Sequence, residues 1–198
     1  MPVNLPAIPK RGNKTANEFA ELGLKPTFTS WTQVTMLHMY LISARFRCFS
    51  PDVCKTWQQH FIDHFFTDAE NRMIVNHDLQ ARGARNGYLK DLFLQWRGIL
   101  LAYDEGLMKG DAVLASAVWR NLCNADPEVD VRKLAMIVSF MRKTMKELEA
   151  TTDLVLVDGS LKFGGPLGEK SLVGLPSGMI KLPLEQAPVQ ATQTEQKA

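Results

Sequence analysis

The feature that most constrains the fold is the apolar periodicity in the second half of the chain. From Tyr88, residues Leu89, Leu92, Trp96, Ile99, Leu100 and Tyr103 recur at intervals that place them on one stripe of a helix. The stripe predicts a long helix ending at Gly106. Lys109 and Gly110 then make a tight connection, Asp111 is an N-cap candidate, and Val113, Leu114, Ala117 and Val118 give the next helix its own apolar face. So short a connection implies antiparallel neighbours. Pro127 predicts the start of a final long helix, whose buried stripe is Leu134, Ile137, Val138, Met141, Met145 and Leu148.

Upstream, Pro2, Pro6 and Pro9 predict an extended arm, followed by a short helix over 15–22 that Gly23 closes. Ser30 is a plausible N-cap for a core helix carrying Val34, Leu37, Leu41 and Ala44. Ser50 followed by Pro51 caps another, in which Val53, Trp57, Phe61 and Phe65 repeat every fourth residue. Thr67 and Glu70 have capping-box spacing, so a short helix or a bent continuation should follow. After residue 150 the period changes: Leu154, Leu156 and Leu161 surround Asp158-Gly159, the strongest short hairpin signal. Two strands need helices to pack on. Residues 186–198 read as disordered, whereas LVGLPSGMIKLPL at 172–184 is apolar enough to order on a partner.

The fold class expected is therefore all-α: one helical domain of about six or seven helices, with a short C-terminal β-hairpin and a disordered tail. The divisions are an extended arm at 1–14, a helical domain at 15–163 and a flexible tail at 164–198. At 198 residues one sizeable core is the working assumption. The uncharged run 26–44 contains Thr27, Thr29, Ser30, Thr32, Gln33, Thr35 and His38, which argues against a membrane span. A net charge of +2 makes no whole-chain case for nucleic acid. Cys48, Cys54 and Cys123 lack CxxC spacing and suggest a reducing compartment rather than disulfides or structural zinc. The first 19 residues show no apolar signal core and make a poor transit peptide, with one arginine, no serine and an early Glu18.

Candidate chemistry is sparse. His60 and His64 stand four apart on one helix and supply at most half a metal site; without a third ligand they read as core-edge histidines. No GxSxG, phosphate loop or HExxH occurs, and GGPLG at 164–168 opens no helix, so it reads as a loop. The adjacent Asp104 and Glu105 point about 100° apart on a helix, an arrangement that disfavours paired acid/base catalysis. Two anions in a C-terminal turn oppose the helix dipole and call for a positive neighbour. Arg120, beside Trp119 on the following helix, is the intramolecular candidate; the functional alternative is that one carboxylate, with Tyr103, meets a basic partner. Arg82, Arg85, Lys90 and Arg97, with Arg45 and Arg47 nearby, read either as a solvated face or as a contact with phosphate or an RNA surface.

YDEG at 103–106, GDAVLASAVWRN at 110–121 and VSFMRKTMKELE at 138–149 together resemble the ubiquinol-cytochrome c chaperone family, assembly factors for the cytochrome bc1 complex (respiratory complex III). TQVTMLHMYLISAR at 32–45 and YLKDLFLQWRG at 88–98 extend the resemblance to about residues 15–163. It implies an all-helical, non-catalytic protein without cofactor or metal, on the matrix side of the mitochondrial inner membrane. A bacterial relative or a truncated amino terminus is the alternative source. The implied partners are a second small assembly factor, newly made cytochrome b and the mitochondrial ribosome near its exit tunnel. The implied interface residues, for partner or client, are Tyr103, Asp104, Glu105, Trp119 and Arg120; Arg82, Arg85, Lys90 and Arg97, read from their charge, are the candidates for a ribosome contact. Met36, Met39 and Met108 are candidates for adaptable apolar contact, against the plainer reading as core fillers. Two rivals remain: a ribosome- or RNA-associated helical factor without a cytochrome b client, and a metal-dependent enzyme built on His60 and His64.

Overall fold

Thr27, not Ser30, starts the first long helix. Its extended backbone lets its hydroxyl oxygen accept the Ser30 backbone N–H at 3.1 Å, so Ser30 lies within the first turn. The computed structural model describes Phe19 and residues 22–174. Its helices are α1 (Phe28–Phe46), α2 (Pro51–His77), α3 (Arg82–Lys109), α4 (Asp111–Leu122), α5 (Val131–Ala150), α6 (Asp153–Val157) and α7 (Lys170–Val173), with a 3-10 turn at Pro166–Glu169 before the last. There is no strand among the described residues. The expected arm at 1–14, most of the short helix at 15–22 and residues 175–198 lie outside them.

Helix α1 is the hub. It touches α2, α3, α4 and α5, and buries Met36, Leu37, Tyr40 and Leu41 completely. A helix apolar on most of its circumference belongs inside a bundle. This environment places Met36 and Met39 in the core as fillers, whereas Met108 is exposed. No helix among the described residues is long and apolar enough to cross a membrane.

Several boundaries differ from those the sequence predicts, each for a local reason. Helix α2 runs unbroken through Thr67, whose hydroxyl donates back to the Asp63 carbonyl at 2.8 Å inside the helix. Helix α3 begins at Arg82 and passes Gly106 to end at Lys109. Pro127 stays in a loop, and α5 starts after Asp130, whose carboxylate accepts the Arg132 N–H at 2.9 Å. The predicted β-hairpin is absent. Residues 153–157 are helical instead, and Asp158-Gly159 ends that helix: Gly159 has φ +69, and the Ser160 N–H reaches the Val155 carbonyl at 3.3 Å. Leu156 turns into the protein and Leu154 to solvent, a helical rather than a two-strand division.

Residues 166–173, in the region read as a tail, pack on α5. Glu169 is the anchor, only 2% exposed, accepting from Ser139 Oγ at 2.8 Å and Lys143 Nζ at 3.0 Å. Burial pushes its pKa up, but the hydrogen bonds from Lys143 and Ser139 and the charge of Lys143 outweigh this and hold it below its ordinary 4.5. The folded state therefore binds this proton less readily than the unfolded one. The stabilisation is complete above the unfolded value and is lost as pH falls through the folded one. Acid titration of stability should show a steeper loss below about pH 4.5 for the natural protein than for Glu169→Gln.

Candidate functional site

The Tyr103–Glu105 corner joins three parts of the bundle. Tyr40 on α1 and Arg47 just beyond its end both donate to the same Asp104 oxygen, Oδ1, at 2.9 and 2.8 Å. Arg47, rather than Arg120, is thus the counter-ion of Asp104. Glu105 turns the other way, as adjacent helical residues must, and pairs with Lys109 at 2.6 Å. The hydrogen bond and charge of Lys109 lower its pKa, and Arg120 adds a smaller pull from a distance. Arg120 itself is exposed.

The donors at Asp104 keep their protons. Burial first, then the hydrogen bond to Asp104, pushes the Tyr40 hydroxyl far above its ordinary 10.0, and the Asp104 hydrogen bond raises Arg47. A carboxylate held by two donors of fixed protonation positions helices; proton transfer requires a group poised to change state. Sequence reasoning missed this triad because Tyr40 and Arg47 are 64 and 57 residues from Asp104.

Tyr103 lies deeper. It is 0% exposed, its ring meets Tyr40 edge-on at 5.2 Å, and its hydroxyl has no hydrogen-bond partner among the described residues. Burial pushes that hydroxyl far above its ordinary value. Any part it plays at an interface is transmitted through its neighbours. Because an unpaired buried hydroxyl costs about 1–3 kcal/mol, Tyr103→Phe should leave thermal stability unchanged or raise it by up to about 1 kcal/mol. A marked loss would mean that the hydroxyl is bonded.

Gly106 is a packing residue rather than a helix stop. A Cβ there would lie 2.6 Å from Leu114 Cα, closer than any real contact, so its lack of a side chain lets α3 and α4 meet next to the turn. Trp119 is half-buried, and its indole N–H donates to the Asp126 carbonyl at 2.8 Å, fastening the loop after α4. The buried Gln33 of α1 reaches the same loop through Asn124 Oδ1 at 2.6 Å. Asn124 and Ala125 both have positive φ, and nothing in the local sequence announces this brace.

The cationic set divides. Arg85 is mostly buried and holds the α2–α3 turn, donating to Glu70, the Leu79 carbonyl and the Gln80 carbonyl. Arg45 is likewise engaged, donating to the Leu148 and Thr151 carbonyls and pairing with Asp153 at 2.5 Å. Arg82, Lys90 and Arg97 are exposed. His60 and His64 are exposed as well rather than at the core edge, and among the described residues no three His, Cys, Asp or Glu gather to hold a metal.

The family model for the ubiquinol-cytochrome C chaperone matches residues 20–163. "Protein CBP3, mitochondrial" of Saccharomyces cerevisiae is 34% identical over 155 residues, covering 78% of this chain and 46% of that protein. The human ubiquinol-cytochrome c reductase complex assembly factor 1 is 28% identical over 162 residues, 77% of this chain and 50% of its own. The Xenopus laevis protein of the same name is 28% identical over 131 residues, 66% and 64%. The chain thus spans about half the length of the first of these relatives. No solved structure matches it. With the model covering most of the chain and the corner lying inside the matched region, the chain belongs to the ubiquinol-cytochrome C chaperone family.

Proposed function

We propose that the protein is a non-catalytic assembly chaperone for the cytochrome bc1 complex. In this reading it works in mitochondria, on the matrix side of the inner membrane. With a second small assembly factor it receives newly made cytochrome b near the ribosome exit. The observation that carries the reading is the family match across the helical domain, joined to relatives whose names place them in mitochondria or in complex III assembly. The corner supports a holding role: its carboxylates are fixed by ion pairs, and the exposed Glu105 and Arg120, with the half-exposed Asp104, form its outer rim. Tyr103 braces that rim from within, and Trp119 fastens the loop beyond α4.

Asp104→Lys tests the rim as the surface for the small partner. The substitution sets a cation beside Arg47, where the partly exposed ion pair contributes about 1 kcal/mol or less, and leaves the buried Tyr40 hydroxyl without its acceptor, at a further cost of about 1–3 kcal/mol. The variant should remain soluble and helical yet fail to retain the small partner in affinity purification. Unaltered partner recovery by folded variant would remove the corner from the interface.

A further inference from the structure

Helix α3 turns an unusual face to solvent. At roughly 100° per residue, Lys90, Phe93, Leu94, Arg97, Leu101 and Met108 fall within about a third of its circumference. The core residues Leu92, Trp96, Ile99 and Tyr103 lie on the other side. These outward apolar side chains are therefore not overflow from the core: Leu101 is 72% exposed and Met108 87%. Lys90 and Arg97, set among them, form no ion pair among the described residues, and Arg82 extends the cationic row by two turns. Asp104 falls within the same third and Glu105 at its edge, but each is already paired, with Arg47 and Lys109, and Asp91 lies about 100° round from Lys90.

We propose that this face docks on an anionic lipid bilayer, with α3 lying in the interface plane. The free charge along the strip is positive, complementary to anionic headgroups. The aliphatic side chains between the cations have the composition that enters the boundary between headgroups and acyl chains, while lysine and arginine stems reach outward to phosphate. The row from Phe93 to Met108 is about 22 Å long, enough to lie along a surface. An RNA backbone would use the cations and gain little from Leu101 and Met108. The inference goes beyond the chaperone reading and does not depend on the client, since the face would bind lipid with no cytochrome b present.

Flotation of the purified full chain with lipid vesicles tests it. The chain should float with phosphatidylcholine vesicles containing about one third phosphatidylserine, stay behind with phosphatidylcholine alone, and be released at about 0.5 M salt. Lys90→Gln with Arg97→Gln should weaken partition roughly thirtyfold. Leu94→Gln with Leu101→Gln should weaken it more than tenfold. All four positions are exposed, so helical circular dichroism should be unchanged in both variants. Failure to float with the anionic vesicles overturns the proposal. So does binding that the leucine substitutions leave intact and that duplex RNA competes away, which would make the face an RNA contact.

Discussion

Gly106→Ala is expected to destabilise the protein by about 2 kcal/mol, although alanine is the better helix former. Helix propensity alone favours the change by about 1 kcal/mol. Against it stands the added Cβ, 2.6 Å from Leu114 Cα and 2.9 Å from Leu114 Cβ. A backbone atom cannot rotate aside, so α3 and α4 must separate at their turn, and overpacking of this kind costs about 1–3 kcal/mol and sometimes more. Packing should win, lowering the midpoint of thermal unfolding by several degrees. Gly98 supplies the opposite sign. It lies in the same helix with nothing within 4 Å of the Cβ position, so Gly98→Ala should raise stability by about 0.5–1 kcal/mol. If both substitutions shift the midpoint in the same direction, the close approach at Gly106 is not what sets the α3–α4 crossing.

The second large effect belongs to Arg45. Helix α5 has no basic residue in its own last turn, and Arg45 of α1 supplies the missing charge from outside. Its side chain is only 12% exposed, and it satisfies the Leu148 and Thr151 carbonyls as well as Asp153 at the start of α6. Arg45→Ala leaves the Thr151 carbonyl without a donor and the Leu148 carbonyl with only the Thr151 backbone N–H, while the exposed Asp153 turns to water, a loss of about 1–2 kcal/mol. In urea the midpoint should fall with little change in slope, because the same surface is exposed on unfolding. Arg45→Lys should recover less than half, since an ammonium lacks the planar fork that reaches three acceptors. Full rescue by lysine would show that charge near the helix end matters and geometry does not.

These two residues also show where sequence reading reaches its limit. The stripes of α3, α4 and α5 were legible because a period near 3.6 over many residues has no rival explanation. Short signals have rivals. Asp-Gly serves a hairpin turn and a helix C-terminus equally well, and at residues 158–159 the helix takes it. A glycine near a helix end reads as a stop, yet Gly106 is held by contact with a backbone eight residues later. For Met36 and Met39 the sequence leaves adaptable contact and core filling both open, because a helix buried on most sides has no polar face to phase against; the packing makes them core fillers. The Asp104–Glu105 pair stood out for its charge, but Arg47 and Tyr40 are assigned to it only by the packing of α1 on α3. Arg85 has the charge of a basic patch in the sequence, but its three acceptors in and around the α2–α3 turn come from the fold.

Capture of the client decides whether this chain receives newly made cytochrome b. Tagged protein is recovered from mitochondria in which organelle translation products have been radiolabelled, and the associated chains are identified. Labelled cytochrome b should be recovered together with one small unlabelled protein. Recovery of ribosomes without labelled cytochrome b would contradict that expectation, leaving the family and the fold in place and the client wrong.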